Sequence, residues 1–276
     1  MADPRAASRG TNFALAFRAL PPDQRDAIRA VHAFSREVDD SVDEEPDQGK
    51  AREEIQRWRG EVAACYEGEP REPAARALRP HLVRFRIPRV YLDELLSGVE
   101  MDLTQLRYGT FEELRRYCYR VASVVGLICL RIFGDEEEQG RVYAENLGLA
   151  LQLTNILRDI GSDLKRGRIY LPLADLKACG YSVDDLKRGE RNPAFLDLMR
   201  FQAERARGFF DAAEQEAATL DRKRILAAQI MGRIYRRLLE RIEASGYDVF
   251  HREIRVPFLE RAWIAGSSIL SAHAPR

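Results

Sequence analysis

The sequence predicts an all-α, single-domain protein that folds as a helical bundle around a central cavity. Apolar residues recur at steps of three and four along most of the 276 residues, which is the period of a helix with one buried face. No stretch alternates apolar and polar residues as a half-buried strand does. No linker is long enough to divide the chain, so residues 1–276 are predicted to form one unit.

Capping and turn signals place the helices in order. The first helix is predicted to begin near Pro22, because proline is favoured in the first turn of a helix. Apolar residues follow at helical steps, namely Ile28, Val31, Phe34 and Val38. Further helices are predicted over residues 50–67, 73–86, 88–105, 111–133, 137–164, 194–219 and 222–245. Proline and glycine predict turns at 45–49 and 67–73, and a loop at 161–172.

The composition excludes several classes of protein. The formal net charge is zero, which gives no support to nucleic-acid binding. The cysteines have neither disulfide-framework nor zinc spacing and fit a reducing compartment: Cys65, Cys118, Cys129 and Cys179. No signal peptide and no apolar run of membrane-spanning length is present, so a soluble, cytoplasmic protein is expected.

Two acidic segments, about 120 residues apart, carry the most chemical information. Residues 36–44 read REVDDSVDE, and residues 152–163 read QLTNILRDIGSD. Each segment places two aspartates four residues apart, so the two carboxylates of a pair project from one helix face. Like charges at this spacing destabilise a helix slightly, and Mg²⁺ bound to oxygen ligands and substrate phosphates would offset that repulsion. The alternative is a pair of solvated helix faces.

The second segment argues against solvated faces. Its surroundings are apolar, yet Gln152, Asn155, Asp159 and Asp163 follow one another at steps of three and four. Polar groups on a mostly buried helix are costly unless they are paired or bind a metal. Arg158 is a candidate partner for one carboxylate, but the complete stripe predicts a lined cavity.

The sequence contains no other recognisable chemical motif, but its aromatic residues give a further indication of function. The sequence contains no dinucleotide fingerprint and no phosphate-binding P-loop. Aromatic residues near the acidic segments or on apolar helices are candidates for a dry chamber that stabilises a carbocation, with core packing as the alternative. They are Phe13, Phe17, Phe34, Tyr117, Tyr119, Tyr170 and Tyr235.

The order and spacing of these motifs resemble the squalene/phytoene synthase family over about residues 8–250, leaving 251–276 as a short tail. The matching stretches are 13–21, 33–43, 117–126, 151–163 and 167–172. The resemblance implies an all-α isoprenoid-synthase fold and a Mg²⁺-dependent prenyltransferase that joins two prenyl diphosphates head to head.

The resemblance also implies roles for individual residues. The metal ligands would be Asp39, Asp40, Asp43, Asn155, Asp159 and Asp163. Tyr117, with the two aspartate pairs, would be catalytic and would handle a proton or guide the cation. Substrate contacts would come from Phe13, Phe17, Arg36, Val121, Val125, Gln152, Asn155, Arg158, Arg168, Tyr170 and Tyr235. The chain departs from the family pattern at His32, usually a tyrosine, and at Gly10 and Asn12, often serines.

Several products are compatible with the resemblance. Segments 98–103 and 245–250 look most like presqualene diphosphate synthases of the bacterial hopanoid pathway, so two farnesyl diphosphates are the expected substrates and NADPH is not expected. The alternatives are a complete squalene synthase that uses NADPH and a 15-cis-phytoene synthase that uses geranylgeranyl diphosphate. A class I terpene cyclase and a non-catalytic helical scaffold are the readings outside the family.

The expected location is the cytoplasm, with a peripheral contact at the inner membrane surface left open. The last apolar stretch, residues 262–266, is short and would give only a weak interfacial contact.

Overall fold

The computed structural model describes residues 20–43, 45, 47–134 and 138–273. Within these ranges the chain is helical and forms no β-strand, and one isolated parallel bridge joins Arg107 to Ile169. The helices are α1 (Pro22–Asp43), α2 (Gln48–Glu67), α3 (Pro73–Arg84), α4 (Arg89–Thr104), α5 (Phe111–Cys118), α6 (Val124–Phe133), α7 (Glu138–Lys165), α8 (Leu173–Ala178), α9 (Val183–Arg188), α10 (Pro193–Ala217), α11 (Leu226–Ala244) and α12 (Phe258–His273). The predicted all-α fold is confirmed.

The structure differs from the predicted elements in three places. The helix predicted over 111–133 is divided by a π-helical segment, Tyr119–Ser123. The loop predicted at 161–172 begins later, because α7 continues to Lys165, and two short helices, α8 and α9, follow it. The tail contains α12, which forms because Ile264 and Ala265 are buried against the bundle.

Helix α7 lies at the centre of the bundle and contacts α6, α10, α11 and the π-helical segment. One side of α1 is buried as predicted, with Val31, Phe34 and Val38 each at most 2% exposed. The ring of Trp58 meets Phe34 edge-on at 5.4 Å and so fixes α2 against α1. Each such buried side chain contributes roughly 1.5–3 kcal/mol, and together they hold α1 against the bundle.

Two glycines allow helices to approach the π-helical segment closely. A Cβ atom on Gly98 of α4 would lie 2.7 Å from Val121 Cγ1, and one on Gly148 of α7 would lie 2.5 Å from Ser123 Cα. Any larger residue at Gly148 would therefore collide with backbone. π-Helical turns are frequent at functional sites, and this one lies where α5 and α6 meet the cavity.

A strap after α7 brings further residues to the same cavity. Gly167 adopts φ +76°, a conformation that glycine tolerates best. The amide of Ile169 donates to the carbonyl of Leu106 at 3.1 Å, and that of Leu173 donates to Tyr108 at 2.9 Å. These bonds fix residues 166–172 beside the segment that follows α4.

Of the helices described, none combines the length and the apolar character that crossing a bilayer would require. Cys65 and Cys118 are buried, and Cys129 and Cys179 are partly buried; none is in a disulfide.

Candidate active site

A cavity of about 480 Å³ runs between α1, α4, α6, α7 and α11. The cavity-lining residues of helix α7 show how the cavity is organised, because they change from apolar to polar along the helix. Tyr143, Leu147 and Leu151 make the first part apolar, and Asn155, Asp159 and Asp163 make the last part polar. From residue 143 to residue 163 the helix rises about 30 Å. The cavity therefore has a long apolar end and an acid end.

The acid end is lined by five aspartates, four arginines and several uncharged polar residues: Arg36, Asp39, Asp43, Asp102, Gln152, Asn155, Arg158, Asp159, Asp163, Arg166, Arg168 and Tyr170. The apolar end is lined by Ile28, Val31, Leu95, Val99, Val121, Val125, Cys129, Leu130, Phe133, Tyr143, Ala144, Leu147, Leu151, Ala227, Ala228 and Met231. Tyr117, Ile156 and Tyr235 also line the cavity.

Most of the residues predicted from the sequence line this one cavity. They are Arg36, Asp39, Asp43, Tyr117, Val121, Val125, Gln152, Asn155, Arg158, Asp159, Asp163, Arg168, Tyr170 and Tyr235. Asp40 is not among the lining residues; its half-exposed carboxylate accepts a hydrogen bond from Arg36 at 3.2 Å. The candidates Phe13 and Phe17, and the departures at Gly10 and Asn12, lie outside the described residues.

Two of the aromatic residues predicted for a chamber are placed elsewhere. Phe34 belongs to the core against Trp58, which is the core-packing alternative. Tyr119 lines a separate surface groove with Glu94 and Glu145. Both residues are close in sequence to residues that line the cavity. The helical period alone does not distinguish a cavity-lining position from such a neighbour.

Arginines from the strap hold the carboxylate at the end of α1. Arg168 donates to Asp43 at 2.6 Å, and Arg166 approaches it at 3.2 Å. Burial opposes the charge of Arg168, but the hydrogen bond to Asp43 and the charge of Asp102 outweigh it and raise the pKa of Arg168. Arg168 therefore stays cationic and links the two acidic segments, although it comes from neither.

On α7, one carboxylate of the pair is held by an arginine of the same helix. Arg158 Nε donates to Asp159 Oδ1 at 2.7 Å, and Arg158 also interacts with Tyr235. Burial, followed by the neighbouring charge of Asp159, raises the pKa of Asp163 to about 7. Asp163 is thus close to half protonated at neutral pH and would become fully ionised if a cation were bound beside it.

On α1, the other carboxylate of the pair has a raised pKa. Desolvation in the cleft raises the pKa of Asp39 to about 6, and the charges of Asp43, Asp102 and Asp40 add to that shift. The crowding of negative charge again favours a bound cation.

Two observations bear on whether Mg²⁺ fits. The side-chain oxygen of Asn155, Oδ1, is buried at the acid end without a hydrogen-bond partner among the described residues. An oxygen in this situation is suited to be a ligand of Mg²⁺. Within the described residues, however, no three His, Cys, Asp or Glu side chains are grouped closely enough to hold a metal by themselves. Mg²⁺ commonly uses one or two carboxylates and completes its shell with water and substrate phosphate, so the donor set fits a metal that arrives with a diphosphate.

A buried carboxylate holds two tyrosines between the two ends of the cavity. The hydroxyl of Tyr170 donates to Asp102 Oδ1 at 2.7 Å, and that of Tyr117 donates to Asp102 Oδ2 at 3.0 Å. The two rings stack with centroids 5.0 Å apart. Burial raises the pKa of Asp102, and burial together with the charge of Asp102 holds the pKa of Tyr117 well above its usual value.

The chemical consequence is that Tyr117 remains a neutral phenol. Its proton is directed to Asp102, so its ring face and an oxygen lone pair are what it can offer to the cavity. The same stack contains Tyr108, whose ring lies 5.8 Å from that of Tyr170 and whose buried hydroxyl has no partner among the described residues.

Sequence reasoning missed Asp102 and Arg166. A signal for Asp102 exists, since Leu92, Leu95 and Val99 form the buried side of α4 and Asp102 continues it at the next helical step. A carboxylate at such a position requires partners. Arg166 carries no comparable signal, because its place depends on the turn at Gly167.

The family described as Squalene/phytoene synthase matches residues 6–260. Phytoene synthase of Arthrospira platensis is 38% identical over 260 residues, covering 89% of this chain and 84% of the relative. The 15-cis-phytoene synthase of Synechocystis sp. is 37% identical over 270 residues, covering 91% and 80%.

Solved structures agree with the fold. A dehydrosqualene synthase superimposes with a TM-score of 0.84 at 26% identity, covering 98% of this chain and 99% of the other. Squalene synthase HpnC from Alicyclobacillus acidocaldarius gives a TM-score of 0.80 at 27% identity, covering 88% and 93%.

Proposed function

Because the chain belongs to the squalene/phytoene synthase family, whose members condense prenyl diphosphates head to head, we propose that it catalyses this condensation in the cavity described above. The observation that carries the proposal is the cavity itself. It brings Asp39 and Asp43 of α1 to the same end as Asp159 and Asp163 of α7, and it continues into an apolar end. A diphosphate head and a prenyl tail need these two environments in this order.

The acid end would hold Mg²⁺ through Asp39, Asp43, Asn155, Asp159 and Asp163, and the bound metal would supply neutralisation of the leaving diphosphate. The arginines around it, Arg36, Arg158, Arg166 and Arg168, would bind phosphate oxygens. Arg166 and Arg168 now pair with Asp43. Substrate binding would therefore exchange these ion pairs, leaving Asp43 for the metal and the guanidinium groups for the diphosphate.

Tyr117 would act where head and tail meet. The C1–O bond of the donor breaks, and diphosphate leaves with the electron pair. The C2–C3 double bond of the acceptor then attacks the cation, and loss of a proton closes a cyclopropane. Asp102 holds the Tyr117 hydroxyl in place, so Tyr117 would steady the cation with its ring and oxygen rather than remove the proton as a phenolate. Released diphosphate is the base that this arrangement leaves available.

The relatives favour the C20 substrate. The curated relatives named above are phytoene synthases at 37–38% identity, which is higher than the 26–27% identity of the solved squalene-type enzymes. We therefore favour geranylgeranyl diphosphate as the substrate and phytoene as the product. Phytoene formation requires departure of the second diphosphate and loss of another proton, and it needs no reductant.

Farnesyl diphosphate is the second candidate. Two of the solved structures that share the fold are those of a dehydrosqualene synthase and a squalene synthase, matched over 98% and 88% of this chain. The sequence segments at 98–103 and 245–250 also predict presqualene diphosphate as the product. That prediction, and the prediction that NADPH is not needed, remain open to the following test.

Purified protein should be incubated with Mg²⁺ and either geranylgeranyl or farnesyl diphosphate, with and without NADPH, and the products analysed by mass spectrometry. We expect phytoene from the C20 substrate at the higher kcat/KM. Presqualene diphosphate formed efficiently from the C15 substrate would move the assignment to the squalene branch, and squalene formed only with NADPH would identify a complete squalene synthase. A cyclic product from one substrate molecule would indicate a terpene cyclase. Absence of diphosphate release would indicate a scaffold.

A further inference from the structure

The outward side of α12 is apolar and largely exposed. Phe258, Leu259, Trp263 and Leu270 are 59%, 80%, 69% and 76% exposed, respectively. Leu259, Trp263 and Leu270 are separated by four and seven residues, so they lie along one side of the helix. These four residues are termed the α12 face. None of the described residues in α12 that are exposed carries a charge.

The α12 face is fixed in position. On the inner side of the helix, Ile264 and Ala265 are buried, and Ser268 accepts a hydrogen bond from Arg233 of α11 at 2.7 Å. Glu260 pairs with Arg237 and lies 3.7 Å from Arg241. Polar contacts at both ends therefore anchor α12 to α11, and its apolar side remains turned outwards.

The contacts also show which end of the cavity α12 approaches. Glu260 meets residue 237 of α11, whereas Ser268 meets residue 233, so the two helices run antiparallel. The end of α12 that carries Leu270 is thus directed towards the beginning of α11. Ala227 and Ala228 at that beginning line the apolar end of the cavity.

The size of the α12 face distinguishes between two occupants. From the exposed fractions, the four side chains present roughly 500 Å² of surface, since a large aromatic side chain has about 150–250 Å² in total. A symmetric pair of copies would bury about twice that area, which is below the ~1,200–2,000 Å² of specific protein interfaces. A lipid surface has no such minimum, and it accepts a helix with one anchored polar side and an apolar side that carries tryptophan.

We propose that the α12 face docks on the surface of a lipid bilayer, with the helix lying in the interface plane. The benefit of such docking rests on the proposed function. The proposed substrates are amphiphiles, and the proposed product is a hydrocarbon that water does not dissolve. Docking through α12 would place the apolar end of the cavity near lipid.

The test is flotation of the full chain with phosphatidylcholine vesicles, with and without phosphatidylglycerol, in the absence of substrate. The double variant Leu259→Glu/Leu270→Glu should lower vesicle partitioning by about tenfold or more, because charge on an interfacial apolar side opposes insertion. Val83→Glu is the matched control, since Val83 on α3 is 72% exposed and lies outside the face. It should float like the wild type. Far-ultraviolet circular dichroism verifies that each variant is folded.

Tryptophan fluorescence gives a second measurement. The chain has two tryptophans; Trp58 is 1% exposed and Trp263 is 69% exposed. Brominated lipid should quench Trp263 and leave Trp58 unaffected, so Trp263→Phe should remove most of the quenching.

Wild-type protein that fails to float, or a double variant that floats as well as Val83→Glu, would overturn the proposal. So would a dimer in ultracentrifugation that the double variant dissociates while vesicle binding is unchanged. Because no readout uses turnover, an inactive protein that binds vesicles would contradict the proposed function alone.

Discussion

The two acidic segments have the same spacing of aspartates and different surroundings. On α1, Asp39 and Asp43 lie at the mouth of the cavity, and arginines of the strap hold Asp43. On α7, Asp159 and Asp163 lie on a helix that is otherwise mostly buried, and Asp163 has a pKa raised to about 7. Each pair therefore combines one carboxylate with a raised pKa, Asp39 on α1 and Asp163 on α7, and one carboxylate that is held by an arginine: Asp43 by Arg168 of the strap, and Asp159 by Arg158 of its own helix. Spacing predicts that carboxylates share a face, but neighbouring residues determine how they respond to a ligand.

The largest expected effect comes from removing one charge from either pair. Asp43→Asn and Asp159→Asn should each lower kcat/KM by about 10³-fold or more, because an amide keeps the shape and loses the charge that binds Mg²⁺. Helical content by circular dichroism should be unchanged. Steady-state diphosphate release is the measurement.

Asp40→Asn is the matched control for these variants. Asp40 is adjacent to Asp39 in sequence, but its carboxylate is 53% exposed, does not line the cavity and pairs with Arg36. An exposed ion pair of this kind is worth about 0–1 kcal/mol, so activity should stay within about threefold of the wild type. An Asp40 variant as inactive as Asp43→Asn would place the metal site on a different face of α1.

A smaller loss of activity is expected from a substitution at Tyr117, where the two ends of the cavity meet. Tyr117→Phe keeps the stacked ring and removes the hydroxyl that donates to Asp102. We expect kcat to fall by about 10²-fold with little change in KM, the pattern of an interaction made mainly in the transition state. Tyr108→Phe is the control, because the Tyr108 hydroxyl in the same stack has no partner among the described residues. Equal losses in both variants would reduce Tyr117 to a packing role.

The smallest effect is a dependence of stability on pH. The pKa of Asp163 is raised to about 7, and its unfolded value is near the ordinary ~3.9. Above pH 7 the folded protein holds an unfavourable buried charge, and that cost declines as the pH falls from about 7 to about 4. Without Mg²⁺, Asp163→Asn should therefore be more stable than the wild type at pH 8 by about 1–3 kcal/mol, with the difference shrinking towards pH 4.

Urea denaturation at several pH values measures this difference. Ser162→Ala, a neutral change at the neighbouring exposed position, is the control, and its stability difference should not vary with pH. A difference for Asp163→Asn that stays constant between pH 8 and pH 5 would show that Asp163 is not held in a charge-disfavouring site.

The fold was predictable because its signals are local and repeated. Helical spacing predicted the long helices, and the polar stripe from Gln152 to Asp163 correctly indicated a cavity. The π-helical segment was not predictable, since it depends on α4 and α7 approaching through Gly98 and Gly148. Helix α12 was missed because burial against α11, rather than its own pattern, orders it.

Within the site, sequence reasoning identified the residues that lie on long helices. It named both Asp39 and Asp40 as candidate metal ligands, and the structure separates them by one step of α1: Asp39 lines the cavity and Asp40 does not. Asp102 was missed because a single carboxylate on α4 forms no motif. Its meaning comes from Tyr117 and Tyr170, which lie 15 and 68 residues away in sequence.

If the two segments act on one diphosphate, their carboxylates should be coupled in the binding of inorganic diphosphate in the presence of Mg²⁺. Titration calorimetry on the wild type, Asp43→Asn, Asp159→Asn and the double variant forms a double-mutant cycle. If both carboxylates serve one metal–diphosphate cluster, the double variant should bind about as weakly as either single variant, with a coupling of about 1–3 kcal/mol. If the losses of binding free energy in the two single variants simply add in the double variant, the two segments act independently. That result would contradict a shared metal–diphosphate cluster.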